Sequence, residues 1–530
     1  METQKKDTAT FDYVIIGAGA SGPIVANSLS ADGHTILLLE AGLGVDEEDK
    51  DVWDPQRWFK VQEDPVIEWG YKSVPQVNMG NRVLNMMQSR CLGGCTIHNA
   101  MVYVRGGQTT YDHWESKLGC KGWGYQDLKP LFEQTEKKIG ILRGKTDPFV
   151  NAVFAAAQNQ GFPYNEDYNL NPTEFGSVPF QFTIEQDGTN FRRTTSYEKY
   201  IGTQQLKGLT VEPGAFVHQI LFSKNNGIVK AIGVKYQNSF GQLKTVHVNR
   251  EVILSAGAIA SPKILLQSGV GPAADLKNLG IPLVKDAPNV GKNFYDDLGI
   301  PTAFVQKQKL PPQPYGFLTS GVFASGNPNF KPKAPKYGDV NMEIQVCSSD
   351  LPGAPQLFPY FSVGMAAMHL KSRGTISLSS ADPREAPVVD PNYLSNGDDI
   401  KTCVEALKVA LRVSWDKGLD DWRGLPTLPI VFPCADFPGG WGWIGLDATF
   451  DAYLAAYIKS TAVTIQHYIG TCAMGSDPST SVVSPELKVH GIEGLRVIDA
   501  SVAPTPVTGN TAGVSYVIGA KGAQLLKGKR

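Results

Sequence analysis

The chain has 530 residues, 42% of them hydrophobic and 19% charged, with a formal net charge of -2. That length exceeds what a single hydrophobic core fills, so two domains are expected, and the near-neutral balance carries no electrostatic footprint for nucleic acid or an anionic membrane. No apolar run is long enough to span a bilayer and residues 1–7 lack the apolar core of a signal peptide, so a cytoplasmic protein without a membrane span is expected.

Residues 11–16 read as a buried strand, 23–30 as a helix and 35–39 as a second buried strand ending at Glu40, which together make a βαβ unit. Between the first strand and the helix lies Gly17-Ala18-Gly19-Ala20-Ser21-Gly22, a G-x-G-x-x-G fingerprint in its proper context. Gly17 permits the tight turn, Gly19 lets backbone approach a pyrophosphate at the positive end of the helix, and Gly22 lets helix pack on strand. Glu40 would accept hydrogen bonds from ribose hydroxyls and repel a 2′-phosphate, which favours FAD or NAD over NADP.

The loop Arg90-Cys91-Leu92-Gly93-Gly94-Cys95-Thr96-Ile97-His98-Asn99 follows, its paired glycines implying backbone close to a ligand. Strands are predicted over 209–211, 217–222, 232–236, 245–248 and 252–255, and Ser261-Pro262 should open a helix that runs through Leu266. Proline and glycine are frequent between 300 and 360, which predicts extended loops there. Helices are predicted over 398–413, 450–460 and after Asn510 to Leu526, with N-capping as one reading of Asn510. The 7 cysteines are dispersed without metal-ligand spacing; Cys91 and Cys95, the only close pair, read as small packing residues, the alternative being a redox disulfide.

Six motifs in fixed order carry a family resemblance: the Gly17 to Gly22 fingerprint with Glu40, the loop 90–99, the run from Gly257 to Gly271, Val290-Gly291-Lys292-Asn293, His467-Tyr468-Ile469-Gly470-Thr471, and the run from Val489 to Ser501. In these the chain resembles the glucose-methanol-choline (GMC) FAD-dependent oxidoreductases, with the pattern of choline oxidase-like and alcohol oxidase members. The resemblance implies an α/β fold: a Rossmann-like FAD-binding domain built from 8–150, 195–297 and 480–530, and an α+β substrate-binding domain from 151–194 and 298–479. It implies FAD bound by Gly17, Gly19, Gly22, Glu40, Gly93, Gly94, His98, Asn99, Val217, Asp499, Ala500, Thr511 and Ala512, and no metal.

His467 falls at the family's catalytic histidine and Asn510 at its partner. The expected reaction is oxidation of an aromatic or aliphatic primary alcohol to the aldehyde. His467 would take the hydroxyl proton, flavin N5 the hydride, and O2 or another acceptor the electrons, with hydrogen peroxide as the product of O2. The helix after Asn510, with free amides near Thr511 and Ala512, would favour negative charge on the flavin pyrimidine. Members with Gly-Gly-Cys-x-x-His-Asn attach the flavin 8α-methyl to that histidine, so covalent FAD at His98 is expected.

Choline itself is disfavoured, because Gly299 falls where choline oxidases carry a glutamate. Phe432, Phe437, Trp441, Trp443 and Ile444 either border the pocket, which would favour an aromatic or aliphatic alcohol over a sugar, or, as for Trp441 and Trp443, simply pack the domain; Ile465 is expected to line a space beside flavin C4a. Rivals on the same scaffold are a hydroxynitrile lyase with redox-silent FAD and a fatty acid photodecarboxylase; the latter carries a cysteine where Met368 falls. His34, His113, His218, His247 and His490 are assigned no catalysis, and His369 is placed at a surface or pocket edge.

Overall fold

A computed structural model describes residues 9–528 except 171–174, 203, 312, 317, 327–329, 348–359 and 427–447. The strand Thr10–Ile16 lies between Ile36–Glu40 and Leu243–Leu254, parallel to both, and Leu209–Pro213 extends the sheet in parallel beyond Ile36–Glu40. Helix Gly22–Ala31 is the crossover between the first two strands. Every residue of Ile36–Glu40 is buried, as expected of a parallel strand covered on both faces. The strands Phe216–Asn225, Ile228–Gln237 and Leu243–Leu254 form an antiparallel meander. Leu495–Val497, from near the C-terminus, pairs in parallel with Leu243–Leu254.

The two short strands expected over 245–248 and 252–255 are one strand of 12 residues. The polar stretch Asn249-Arg250-Glu251 masked the continuity. Glu251 is held by Arg496 from the adjoining strand at 2.6 Å, so its charge is paired where the strand enters the core.

The following helix is Gly257–Gln267, beginning four residues before the expected start and carrying Pro262 inside it. An internal proline lacks the N–H that would bond the carbonyl four residues back, here Ala258. Thr471 Oγ1 donates to that carbonyl at 2.6 Å instead. Thr471→Val should therefore cost about 1–3 kcal/mol, the penalty of an unsatisfied buried acceptor, and a denaturant titration of the holoprotein checks it.

The stretch 300–360, expected to be loops, holds most of a second sheet. Its strands Ala303–Gln306, Leu318–Ala324, Met342–Cys347 and Tyr360–Ala367 are joined by Leu298–Ile300 and Gly176–Pro179, all antiparallel. The prolines fall largely in the connections, and the strands are short buried runs that lack the period-two signature. Leu318–Ala324 is buried at every position. Gly321 is there because a Cβ would sit 2.6 Å from the Phe180 ring. The late helices are Gly397–Ser414, Ala448–Thr461 and Ala512–Leu526. Among the described residues no helix is long and apolar enough to cross a membrane.

Candidate active site

Two cavities meet between the sheets. The first runs along the carboxyl ends of the parallel strands and is lined by Gly17, Gly19, Glu40, Val217, Asp499 and Ala500. The second encloses about 350 Å³ and is lined by His98, Asn99, His467, Asn510 and Ala512, together with residues of the second sheet. Cys95, Gln466, Tyr468, Thr511 and Ser515 line both. The two cavities thus share a wall, the first reaching Glu40 and the second His467.

The first cavity fits a dinucleotide by its backbone. A Cβ on Gly17 (φ +106°) would lie 2.4 Å from Ser255 O, and one on Gly22 2.1 Å from Gly17 O. Gly22 therefore packs the turn, as expected, without facing the cavity. Gly94 presses on the fingerprint itself, since its Cβ would meet Gly19 Cα at 2.6 Å, and Gly93 N donates to Ala18 O at 2.9 Å. Gly19 alone of the fingerprint glycines has no close neighbour over its Cβ position, which leaves its backbone open to a phosphate. Glu40 accepts from Ala18 N at 2.9 Å and Gly42 N at 3.0 Å. Burial pushes its carboxyl up to about 7, against those amide bonds. Asp499 accepts from Gly257 N at 3.0 Å and Ser261 Oγ at 2.6 Å, so it fixes the start of that helix while bordering the cavity.

His467 is held at three points. Its backbone N donates to Asp296 Oδ1 at 2.7 Å, its Nδ1 lies 2.8 Å from Asp297 Oδ2, and its Nε2 lies 3.2 Å from Asn510 Nδ2. A carboxylate only accepts, so Nδ1 carries the proton and the Nε2 lone pair faces the second cavity. Asp297 also accepts from Tyr295 Oη, and Asp296 from Tyr393 Oη and from Thr464 Oγ1 at 2.5 Å. Burial disfavours charge on the imidazole, but the Asp297 bond and the charges of Asp297, Asp296 and Glu343 outweigh it and raise its pKa above the ordinary 6.5. Burial raises Asp296 to about 6 and Glu343 to about 7. Gln466, just before the histidine, has φ +64°, a conformation that costs a non-glycine residue about 1–3 kcal/mol and recurs where a site over-determines its backbone.

His98 is equally fixed. Its Nδ1 bonds Glu68 Oε1, while Glu68 Oε2 accepts from Gln88 N at 2.9 Å. Burial opposes charge on this ring, yet the Cys95 sulfur and Glu68 raise it to about 10. Asn99 is anchored by Arg193 Nη1 at 2.8 Å.

Several expectations need correction. Asn510 is not the helix cap: Thr511 holds that position without a side-chain bond, because the Asn510 amide is turned to His467, and its Oδ1 has no hydrogen-bond partner among the described residues. Cys95 does not pack inward. The left-handed Gly93 and Gly94 turn it toward both cavities, while Cys91 stays buried 3.0 Å from Ser89 Oγ, and both are free thiols. His369 bonds Thr508 Oγ1 at 3.1 Å and is pushed down to about 3 by burial and by Arg373, away from both cavities. His218 borders the first cavity. Ile465 lines the second, where its Cγ2 would sit 2.6 Å from a Cβ at Gly299. Met368 Sδ accepts from Gly509 N. Phe432, Phe437, Trp441, Trp443 and Ile444 lie outside the described residues.

Asp296, Asp297, Glu68, Gln345, Ser362 and Gly364 escaped the sequence reading. Only the acid pair left a signal: two consecutive carboxylates between Phe294-Tyr295 and the buried strand Leu298–Ile300.

Comparison with known proteins accords with this geometry. The GMC oxidoreductase pattern matches residues 11–298 with its N-terminal part and 371–519 with its C-terminal part. An oxygen-dependent choline dehydrogenase of Yersinia pseudotuberculosis serotype IB (strain PB1/+) is 30% identical, over 98% of this chain and 94% of its own length. An alcohol dehydrogenase [acceptor] of Pseudomonas putida is 31% identical, over 97% of this chain and 95% of its own. Among solved structures, pyridoxine 4-oxidase from Mesorbium loti superposes with a TM-score of 0.86 at 24% identity, covering 98% of this chain and 99% of that one. A fungal aryl-alcohol oxidase gives a TM-score of 0.78 at 21% identity, with coverage of 98% and 99%. The chain belongs to the GMC oxidoreductase family, whose members are FAD-binding enzymes.

Proposed function

We propose that the protein oxidises an uncharged primary alcohol to its aldehyde, with His467 as general base and Asn510 as the anchor of the substrate oxygen. The observation that carries this reading is the imidazole itself, buried, oriented by Asp297 through Nδ1, with Nε2 and Asn510 turned into a cavity that shares a wall with the dinucleotide cavity. When bound, FAD supplies the hydride acceptor. The alcohol hydroxyl donates to Nε2 and accepts from Asn510 Nδ2, replacing one long bond by two. His467 takes the proton, Asp297 stabilises the imidazolium, and the unpartnered Asn510 Oδ1 is free to accept from the new Nε2–H. The electrons then pass to dioxygen or another acceptor.

The substrate is uncharged because, among the described residues, no Lys, Arg, Asp or Glu side chain lines the second cavity. Choline has no counter-charge at Gly299, where Ile465 closes the space. The relatives named for choline share the scaffold without fixing this wall.

FAD is held by the glycine cradle and Glu40, and we assign its covalent attachment to His98 Nε2, the ring atom left free by Glu68. In His98→Ala, acid precipitation should release the yellow colour that the unaltered protein keeps with the pellet; complete release from the unaltered protein overturns the linkage. The central test is anaerobic mixing of the holoenzyme with primary alcohols. Flavin bleaching supports the function, and no bleaching with benzylic, aliphatic or amino alcohols overturns it.

A further inference from the structure

We infer that Gly364, with Gln345 and Ser362 beside it, makes the second cavity selective for planar, uncharged aromatic carbinols that carry a hydrogen-bonding group on the ring; this rests on the alcohol oxidation proposed above. In the antiparallel sheet Gln345 stands opposite Gly364 and Cys347 opposite Ser362. Residues paired in this way share a face, and all four line the cavity.

Two glycines of this sheet line the cavity, Gly299 and Gly364, and they differ from each other, as Gly364 does from the packed Gly321, in what lies over them. At Gly299 a Cβ would strike Ile465 Cγ2 at 2.6 Å, and at Gly321 the Phe180 ring at 2.6 Å. At Gly364 the nearest atoms among the described residues are Ser362 Oγ at 3.8 Å and Gln345 O at 3.9 Å. Among the described residues the space a side chain would take there is open, and the wall is the flat backbone of the strand. A planar ring can lie against it, whereas a puckered ring or a branched substituent meets the strand edge-on. Ile465, Met365 and Leu318 supply apolar contact around it.

The polar end is equally specific. Gln345 Nε2 donates to Glu343 Oε1 at 3.4 Å, so the amide oxygen is left to accept from a ligand. Glu343 is fully buried beneath it, so a carboxylate fixes the amide without presenting its charge to the cavity. Ser362, also buried, adds a hydroxyl that can donate or accept. A carbinol with its reacting group at His467 and a ring hydroxyl at Gln345 would use both ends. A hydrocarbon ring would offer the Gln345 amide oxygen no donor.

The test compares 4-hydroxybenzyl alcohol, 4-methylbenzyl alcohol, cyclohexylmethanol and 1-butanol on the holoenzyme, reading kcat and KM separately. The hydroxybenzyl substrate should exceed both its methyl analogue and the non-planar alcohol by about tenfold or more in kcat/KM. In Gly364→Val its KM should rise about tenfold with a much smaller change in kcat, and Gly364→Ala should move KM the same way by less. Gln345→Leu should erase the preference for hydroxyl over methyl. FAD content and melting temperature of each variant establish folding, and Gly364→Ala and Gln345→Leu decide the matter if the valine variant does not fold. Equal use of cyclohexylmethanol, or an unchanged benzylic KM in folded Gly364→Val, overturns the inference while leaving alcohol oxidation standing. Absence of bleaching by every alcohol overturns the underlying function instead.

Discussion

His467→Ala should slow anaerobic flavin reduction by an alcohol about 10²–10⁴-fold, the range that a positioned general base contributes, while the protein keeps its FAD. The two halves of this expectation come from different parts of the structure. The ring borders the second cavity and does not line the first, so the glycine cradle, Glu40 and Asp499 are untouched. The backbone bond from residue 467 to Asp296 does not need the ring and survives. Asp297 loses the imidazole but keeps Tyr295, so the stability loss should be about 1–3 kcal/mol, enough to read in a melt and too little to unfold the protein. With chemistry impaired and the cavity otherwise intact, kcat should fall far more than KM rises. Stopped-flow bleaching within about tenfold of the unaltered enzyme would place the base elsewhere.

What the sequence revealed follows from how local each feature is. The fingerprint and Glu40 were legible because strand, turn, helix and acid lie within one stretch of chain, and the glycines are forced by contacts a few residues away, such as Gly22 against Gly17 O. His467 and Asn510 were legible through the ordered motifs around them. Their setting was not. Asp297 is 170 residues from His467 along the chain and Glu68 is 30 from His98, and neither acid carries a local pattern that names its partner. The second sheet was hidden for another reason: its strands are short and buried, so they show no alternation, and the prolines of the connections dominated the composition. Pro262 pointed to a helix start because proline belongs in a first turn. Its tolerance inside the helix depends on Thr471, whose hydroxyl arrives from a distant part of the chain. Asn510 looked like a cap for the same reason, since asparagine before a helix usually is one; here the competing partner is an imidazole 43 residues away in sequence.

Asp297→Asn should lower kcat about 10²–10³-fold and also move the pH dependence, which a purely structural residue would not do. The carboxylate accepts the Nδ1 proton and so holds the Nε2 lone pair in the cavity. An amide can instead donate to Nδ1, which transfers the proton to Nε2 and leaves no base facing the alcohol. The sign of the pH effect comes from the groups around the ring. Burial lowers the pKa of His467, while the Asp297 bond and the charges of Asp297, Asp296 and Glu343 raise it above 6.5 overall. Tyr295, Tyr393 and Thr464 hydrogen-bond the two aspartates, and Asn510 meets the other nitrogen. Catalysis needs the neutral ring, so in the unaltered enzyme kcat/KM should rise with pH through a value above 6.5. Removing the largest favourable charge lowers that value, and the residual activity of Asp297→Asn should rise at lower pH. The same linkage governs stability: a raised histidine pKa contributes stability that is complete below the unfolded value near 6.5 and is lost as pH rises through the folded value. The variant should therefore lose stability at acid pH and little at alkaline pH. Asp297→Glu retains the charge, so its pH limb should stay near that of the unaltered enzyme even if misplacement of the longer side chain lowers kcat. An Asp297→Asn enzyme with a lower kcat and an unmoved limb would reduce Asp297 to packing and leave the raised basicity of His467 to Asp296 and Glu343.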